Sequence, residues 1–315
     1  MNMTSRGRGN NQRRNFLTQL PALGALAAGL PARLAAADTP ALLRKPIPSS
    51  GELIPIIGVG TARSYEDASG EAELAPLRAT LQTFASLGGA VIDTAPSYGK
   101  AESLVGSLVE GLGIRSGLFL ATKIGASGRS AGLAQLENSF RQLRTSKIDV
   151  VSVHNLQDTS NQLALLREFK QAGRIRYVGM TTSFDGQYPA FEDFMKRETL
   201  DFVQVDYALD NRNAAQRLIP LAKERGMGVM INLPFGRSRL FNTVRGKTLP
   251  DWSAEFDCKS WAQFFLKYLV SHEAVTCAIP GMAKPEYVVD NLGAAMGRLP
   301  DAAMRRRMEA YIDGL

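Results

Sequence analysis

Leu118-Phe119-Leu120-Ala121-Thr122-Lys123 is a short apolar run that ends on a cation, and Asp149-Val150-Val151-Ser152-Val153-His154 is another that ends on an imidazole. Between them, Gly132 to Leu143 sets Leu133, Leu136, Phe140 and Leu143 at three- and four-residue spacing, the pattern of a helix with one apolar face. Strand, helix and strand in succession make one parallel crossover unit. The unit recurs along the chain. Candidate strands lie at Ile54–Val59, Ala90–Thr94, Leu118–Thr122, Asp149–His154, Arg176–Thr181, Phe202–Tyr207, Gly228–Asn232 and Ala274–Ile279. Helical patterns fill the gaps: Ala75 to Leu87 with Leu77, Leu81 and Phe84 on one face, Asn161 to Gln171 ending at Gly173, and Asn213 to Arg225 ending at Gly226. A last helix is expected at Asp301–Ile312.

Such alternation implies a parallel sheet covered by helices. Eight strands favour a closed (β/α)8, or TIM, barrel in a single α/β domain over an open sheet. An absence points the same way. The residues at the first strand read Gly58-Val59-Gly60-Thr61-Ala62-Arg63, without the G-x-G-x-x-G turn of a doubly wound dinucleotide fold. Pro46–Leu53, turning at Ser49-Ser50-Gly51, is expected as a hairpin closing the barrel floor.

The chain has 315 residues, 45% hydrophobic and 21% charged, a globular balance. Its net charge of +7 is unevenly spread: residues 1–37 carry Arg6, Arg8, Arg13, Arg14 and Arg33 and no acid, so the remainder stands at +2. That near-neutral remainder argues against nucleic-acid binding. Residues 1–37 have the three parts of an export signal: Arg13-Arg14-Asn15-Phe16-Leu17, an apolar stretch from Leu20 to Leu30, and the small residues Ala35-Ala36-Ala37. The paired arginines before Phe-Leu resemble a twin-arginine (Tat) signal. The apolar stretch holds Pro21 and is too short for stable membrane insertion. Residues 1–37 are therefore expected as a signal peptide read by the Tat export machinery, and 38–315 as a periplasmic or secreted barrel exported folded. The two cysteines, Cys258 and Cys277, form no C-x-x-C, and no H-E-x-x-H is present, so no metal site is expected. One disulfide is open to them in an oxidising compartment, although the apolar run around Cys277 favours burial.

In a (β/α)8 barrel reactive groups stand at the C-terminal strand ends. Asp93 ends the second candidate strand, Lys123 the third and His154 the fourth, while Tyr98 follows Asp93 in the loop Pro96-Ser97-Tyr98-Gly99. Singly, each has an ordinary structural explanation; four strand-end groups together make a site. A carbonyl accepts hydride more readily when its oxygen takes up a proton. A phenol with a reference pKa of about 10 is a weak acid, and a nearby ammonium lowers that value. Lys123 is expected to supply that field, Asp93 to hold Lys123 charged, and His154 to donate to the same oxygen.

The segment Ile92-Asp93-Thr94-Ala95-Pro96-Ser97-Tyr98-Gly99, with Glu102 beyond it, resembles the D-T-A-x-x-Y-G-x-x-E signature of the aldo-keto reductases. Lys123 after its apolar run and His154 after its own match the other two landmarks, and the likeness runs from about Ile54 to about Gly293. The resemblance implies a (β/α)8 barrel using NADPH or NADH, with Asp93, Tyr98, Lys123 and His154 as its catalytic set. It also implies a nicotinamide carboxamide held after the fifth strand, where this chain has Thr181-Thr182-Ser183 in place of Ser-Asn, and by Gln204 on the sixth. Asn155 is a further polar candidate beside His154. Where the family often stacks an aromatic on the nicotinamide, this chain has Asn232, with Phe235 shortly after. The pyrophosphate is then expected along Phe235, Gly236 and Arg237. Ile279-Pro280-Gly281 with Pro285-Glu286 resembles the family's I-P-G-x-x-x-P-E segment; Gly281 permits close approach, Lys284 reaches a phosphate and Asn291 meets the adenine. Tyr287 stands where many members carry an arginine for the 2′-phosphate, which leaves NADPH and NADH both open.

The leading expectation is NAD(P)H-dependent reduction of an aldehyde or ketone with Tyr98 as general acid. A non-catalytic nicotinamide-binding barrel that docks a partner is the alternative. Schiff-base chemistry at Lys123 is disfavoured, because a charge-paired lysine is a poor nucleophile. Substrate contacts are sought in Arg63-Ser64-Tyr65, Leu156-Gln157-Asp158 and residues 241–252, where Tyr65 and Trp252 either wall an apolar pocket or serve in packing.

Overall fold

The computed structural model describes residues 41–315, so the expected export signal at 1–37 lies outside the described residues. In chain order the elements are β1 (Arg44–Pro46), β2 (Leu53–Pro55), β3 (Val59–Gly60), α1 (Glu71–Ser86), β4 (Val91–Asp93), α2 (Ala101–Leu112), β5 (Phe119–Ile124) and α3 (Arg129–Gln142). There follow β6 (Ile148–His154), α4 (Thr159–Gln171), β7 (Ile175–Thr181), α5 (Tyr188–Arg197), β8 (Phe202–Asp206), α6 (Leu218–Glu224) and β9 (Gly228–Asn232). The chain continues with α7 (Arg239–Thr243), α8 (Trp261–Val270), β10 (Cys277–Ala278), α9 (Pro285–Gly293) and α10 (Ala302–Asp313).

Strands β3 to β10 form one eight-stranded sheet in sequence order, and every ladder is parallel. The sheet closes on itself. The Gly58 N–H donates to Ala278 O, the Ala278 N–H to Ile56 O and the Gly60 N–H to Pro280 O, each at 2.9 Å. The fold is thus the expected (β/α)8 barrel.

The period of two along each strand sorts the side chains into two cores. Ile92, Leu120, Val151, Val178, Val203, Val229 and Ile231 face outward and join the helices in one apolar cluster. Val91, Phe119, Ala121, Val150, Tyr177, Phe202, Met230 and Cys277 face inward and fill the lumen. Phe119, Tyr177 and Phe202 pack there with ring centroids 5.6 to 6.1 Å apart. The lumen is crowded enough that a Cβ on Gly179 would lie 2.6 Å from Ser152 Oγ. The same inward parity, carried to the C-terminal strand ends, brings Asp93, Lys123, His154, Thr181 and Asn232 to one mouth.

The expected floor hairpin is present: β1 pairs with β2 antiparallel, Gly51 turns at φ 75°, and Ile47 and Ile54 enter the lumen cluster. It is also bolted down by polar contacts. The Tyr177 hydroxyl donates to Glu52 Oε2 at 2.7 Å, and Lys45 Nζ donates to Val270, His272 and Val275 carbonyls at 2.7 to 2.8 Å. Lys45 thereby caps the C-terminal end of α8.

Two expectations are corrected here. The candidate first strand Ile54–Val59 is divided, because its beginning pairs with β1 as part of the floor and only Val59–Gly60 pairs with β4. The candidate last strand shortens to Cys277–Ala278. Both cysteines are buried and free, so the disulfide considered for them does not form. Among the described residues no helix is long and apolar enough to cross a membrane.

Candidate active site

Lys123 reaches the mouth from the end of β5 and is only 2% exposed, with Asp93 beside it at 4%. A lone ion so buried is strongly disfavoured; this one is fully paired. Its Nζ donates to Asp93 Oδ2 at 2.7 Å, to Asp93 Oδ1 at 2.9 Å and to Thr94 O at 2.9 Å, which uses all three ammonium protons. Burial alone would pull the Lys123 ammonium down, but the Asp93 carboxylate and the Tyr98 phenol hold it above the ordinary lysine range. With no free proton or lone pair, this lysine is poorly disposed to Schiff-base formation.

Tyr98 sits on the tight loop after β4, where its N–H donates to Ala95 O at 3.1 Å and its carbonyl starts α2 through the Ala101 N–H at 2.9 Å. Lys123 Nζ lies 5.1 Å from the Tyr98 ring centroid. The expected lowering of the phenol does not prevail. Burial pushes Tyr98 above its ordinary value, against the pull of Lys123. Tyr98 is therefore protonated throughout the neutral range, which is the form that donates.

His154, from the end of β6, meets Tyr98 edge-on with centroids 6.2 Å apart, and its Nδ1 lies 3.5 Å from Ser97 Oγ. Burial, with the Lys123 charge second, pulls the imidazole down to about 4, so it is neutral at pH 7. His272, the only other histidine in the chain, is likewise pulled to about 4 by burial and then by Arg305. Each folded-state value lies below the unfolded value of about 6.5. Between those limits the unfolded chain binds protons that the folded chain refuses, so stability falls as pH drops from 6.5 toward 4 and is unaffected by histidine above 6.5. The two imidazole Cε1 proton resonances should therefore titrate with midpoints near 4. A midpoint of about 6.5 for His154 would show a ring open to water and overturn its placement in the buried site.

A cavity of about 560 Å³ opens over these groups. Of the residues singled out from the sequence, Asp93, Tyr98, Lys123, His154, Asn155, Thr181, Asn232, Phe235, Arg237 and Gly281 line it. Others do not. The Thr182 hydroxyl is committed to its own loop, donating to Gln187 Oε1 at 2.6 Å and accepting from the Phe184 N–H at 3.2 Å, while neighbouring Ser183 lines the cavity instead. Gly236 is buried in the turn, where a Cβ would meet Arg239 Nη2 and Asp210 Oδ1 at 2.8 Å. The Lys284 ammonium lies over the Tyr287 ring, 5.8 Å from its centroid, and it is Tyr287 that lines the cavity. Asn291 is buried within α9. Tyr65 is fully buried with an unpartnered hydroxyl, and Trp252 packs on Phe264 and Tyr311 at 5.6 and 5.8 Å; neither lines this cavity.

Gln204, on β8 between Thr181 and Met230, is buried behind the cavity lining with its amide toward the Asp93 carboxylate but without a close hydrogen bond, and Asn232 Oδ1, on the lining, is buried without a partner. A buried donor and a buried acceptor left open in this way call for a ligand group offering both. Sequence reasoning gave no role to Glu66 or Ser97, and named Ser183 only together with Thr181 and Thr182. Ser97 was within reach, since it adjoins Tyr98 in the quoted segment; Glu66 carries no local signal.

The model of the Aldo/keto reductase family matches residues 56–312, and the chain belongs to that family. Aldo-keto reductase YhdN of Bacillus subtilis (strain 168) is 27% identical over 167 residues, a match spanning 48% of this chain and half the length of that protein. Aldo-keto reductase str7 of Strobilurus tenacellus is 23% identical over 259 residues, covering 69% of this chain and 76% of that one. An aldo/keto reductase from Klebsiella pneumoniae, solved in complex with NADP and acetate, superimposes with a TM-score of 0.71 at 25% identity over 83% of this chain and 93% of that one.

Proposed function

We propose that this protein reduces an aldehyde or ketone to an alcohol with NADPH, and with NADH as the second cofactor to be tested. The observation that carries the reading is the buried ammonium of Lys123, fixed by Asp93 beneath the Tyr98 phenol, with neutral His154 at the same mouth. The NADP in the Klebsiella pneumoniae relative supports the choice of cofactor.

The residues present fit a nicotinamide dinucleotide. Asn232 Oδ1, unpartnered on the cavity lining, complements the NH₂ of a carboxamide, with Thr181 on the same lining and Gln204 Nε2 behind it as a donor for the C=O. Phe235 and Arg237 line the cavity where a pyrophosphate would run, and Gly281 leaves room for close backbone approach. Lys284, beside Tyr287 at the cavity edge, is the candidate for a phosphate, while Thr182, Gly236 and Asn291 stand behind the lining residues. When bound, the cofactor supplies the hydride.

The chain supplies the proton and its control. Tyr98 donates to the carbonyl oxygen as charge develops there. Lys123 compensates the phenolate this leaves, and Asp93 keeps Lys123 charged and immobile. With Nδ1 accepting from Ser97 Oγ, His154 presents Nε2–H to the same oxygen and fixes its direction. A preorganised donor set of this kind stabilises an alkoxide without rearrangement.

Titration of the purified protein with NADPH and with NADH, followed by fluorescence, should show binding; addition of short-chain aldehydes should then oxidise the bound cofactor. Binding without oxidation across the aldehydes would favour the non-catalytic barrel instead.

A further inference from the structure

The carbonyl-reduction reading leaves open which carbonyl compounds the cavity selects, and the inference here rests on that reading. Glu66 lines the cavity on the loop after β3. Its position is held from several sides. Its Oε1 accepts the Arg63 N–H at 2.8 Å, and its main-chain oxygen accepts the Lys100 N–H at 2.7 Å. Gly99 packs against that same oxygen so closely that a Cβ there would lie 2.5 Å away. Tyr65, fully buried, anchors the residue before it. Arg63 adopts φ 67°, a left-handed conformation that costs a non-glycine residue energy and persists where its surroundings impose it.

These contacts place Glu66 beside the Tyr98–Gly99–Lys100 turn, at the proton-donating end of the cavity. Its charge reaches Tyr98, where it adds to the upward push on the phenol. The second carboxylate oxygen, Oε2, makes no hydrogen bond and no ion pair among the described residues. A carboxylate only accepts, so a residue that lines the mouth carries a negatively charged acceptor with no protein partner on one oxygen. Ser64 and Asn155 line the same cavity, and Ser97 lies against His154. An unsubstituted aldehyde would desolvate Glu66 without replacing its water. A hydroxylated one replaces that water with a charge-assisted hydrogen bond.

We propose that Glu66 is a specificity-determining residue that selects carbonyl compounds bearing hydroxyl groups near the carbonyl, of the hydroxyaldehyde type, over unsubstituted and carboxylate-bearing ones. Arg63 is the competing influence. It lines the same mouth and its guanidinium forms no ion pair among the described residues. Dominance of Arg63 would reverse the preference toward carboxylates, so a carboxylate-bearing aldehyde belongs in the test.

The experiment compares kcat/KM for glyceraldehyde, propionaldehyde and succinic semialdehyde in the wild type and in Glu66→Gln, with NADPH. Glutamine keeps a carbonyl oxygen for the Arg63 N–H and turns the open acceptor into a donor, so the loop is retained while the recognition is inverted. Because the ratio of glyceraldehyde to propionaldehyde is compared between two proteins, their intrinsic reactivities cancel. That ratio should fall about ten-fold in Glu66→Gln, chiefly through KM for glyceraldehyde. An unchanged ratio, or a wild-type preference for succinic semialdehyde over glyceraldehyde, overturns the proposal and leaves carbonyl reduction standing. Turnover of none of the three by cofactor-loaded protein overturns carbonyl reduction itself, and this inference with it. A measurement on the wild type alone guards against misfolding of the variant: glycerol should inhibit propionaldehyde reduction more tightly than 1-propanol, and equal inhibition overturns the proposal.

Discussion

Replacement of Tyr98 by phenylalanine should lower kcat for carbonyl reduction by about 10²–10⁴-fold, the range set by loss of a positioned general acid, while the Kd for NADPH moves by less than about three-fold, well under 1 kcal/mol. The substitution removes one oxygen. The ring stays beside His154 and near Lys123, which loses the help of the phenol oxygen but keeps its hydrogen bonds to Asp93 and Thr94. The fold should therefore survive, and the effect should appear in turnover and not in cofactor binding. The measurement is a steady-state comparison alongside fluorescence titration. Activity within ten-fold of wild type would take the proton-donor role away from Tyr98.

The second large effect is on stability. Lys123→Met keeps the length and apolar stem of the side chain but strands the Asp93 carboxylate, 4% exposed, in the lumen. Removing one partner of a buried pair typically costs about 3–5 kcal/mol, because the other charge is left uncompensated. The denaturant midpoint should drop accordingly. In the wild type, burial already pushes Asp93 upward against the opposing pull of Lys123. Without that pull the carboxyl binds its proton at higher pH in the folded state than in the unfolded one. The variant's deficit should then be largest near neutrality and shrink as pH falls toward the free carboxylate value of about 4. Asp93→Asn combined with Lys123→Met should recover part of the loss. A midpoint unchanged by Lys123→Met would mean that water reaches the pair.

The groups at the mouth were legible for a geometric reason. Alternation along a strand fixes which side chains share a face, so Val91 and Asp93, Phe119 and Lys123, and Val150 and His154 had to point the same way once the lumen was identified. Loop residues carry no such rule. Thr182 and Ser183 are adjacent hydroxyls of equal standing in the chain, yet one is spent on Gln187 and the other lines the cavity. Tyr65, open in the sequence between pocket wall and packing, turns into the core, and Glu66, unremarkable in its local context, lines the cavity where Gly99 and Lys100 of another loop grip its backbone. Likewise the length of the first strand was settled by competition between two partners, β1 and β4, far apart in the chain.

Periodicity and strand-end chemistry were thus enough to read an eight-fold strand–helix barrel and to bring an ammonium, a carboxylate and an imidazole to one mouth, since both follow from local spacing, whereas the loop phenol of Tyr98 was singled out through its place in the quoted segment. The protonation states did not follow, because they are sums over everything packed around a group. Tyr98 is pushed up where its lysine neighbour alone suggested a fall, and His154 is held neutral. Burial and the approach of distant loops enter those sums, and both exist only once the barrel has closed.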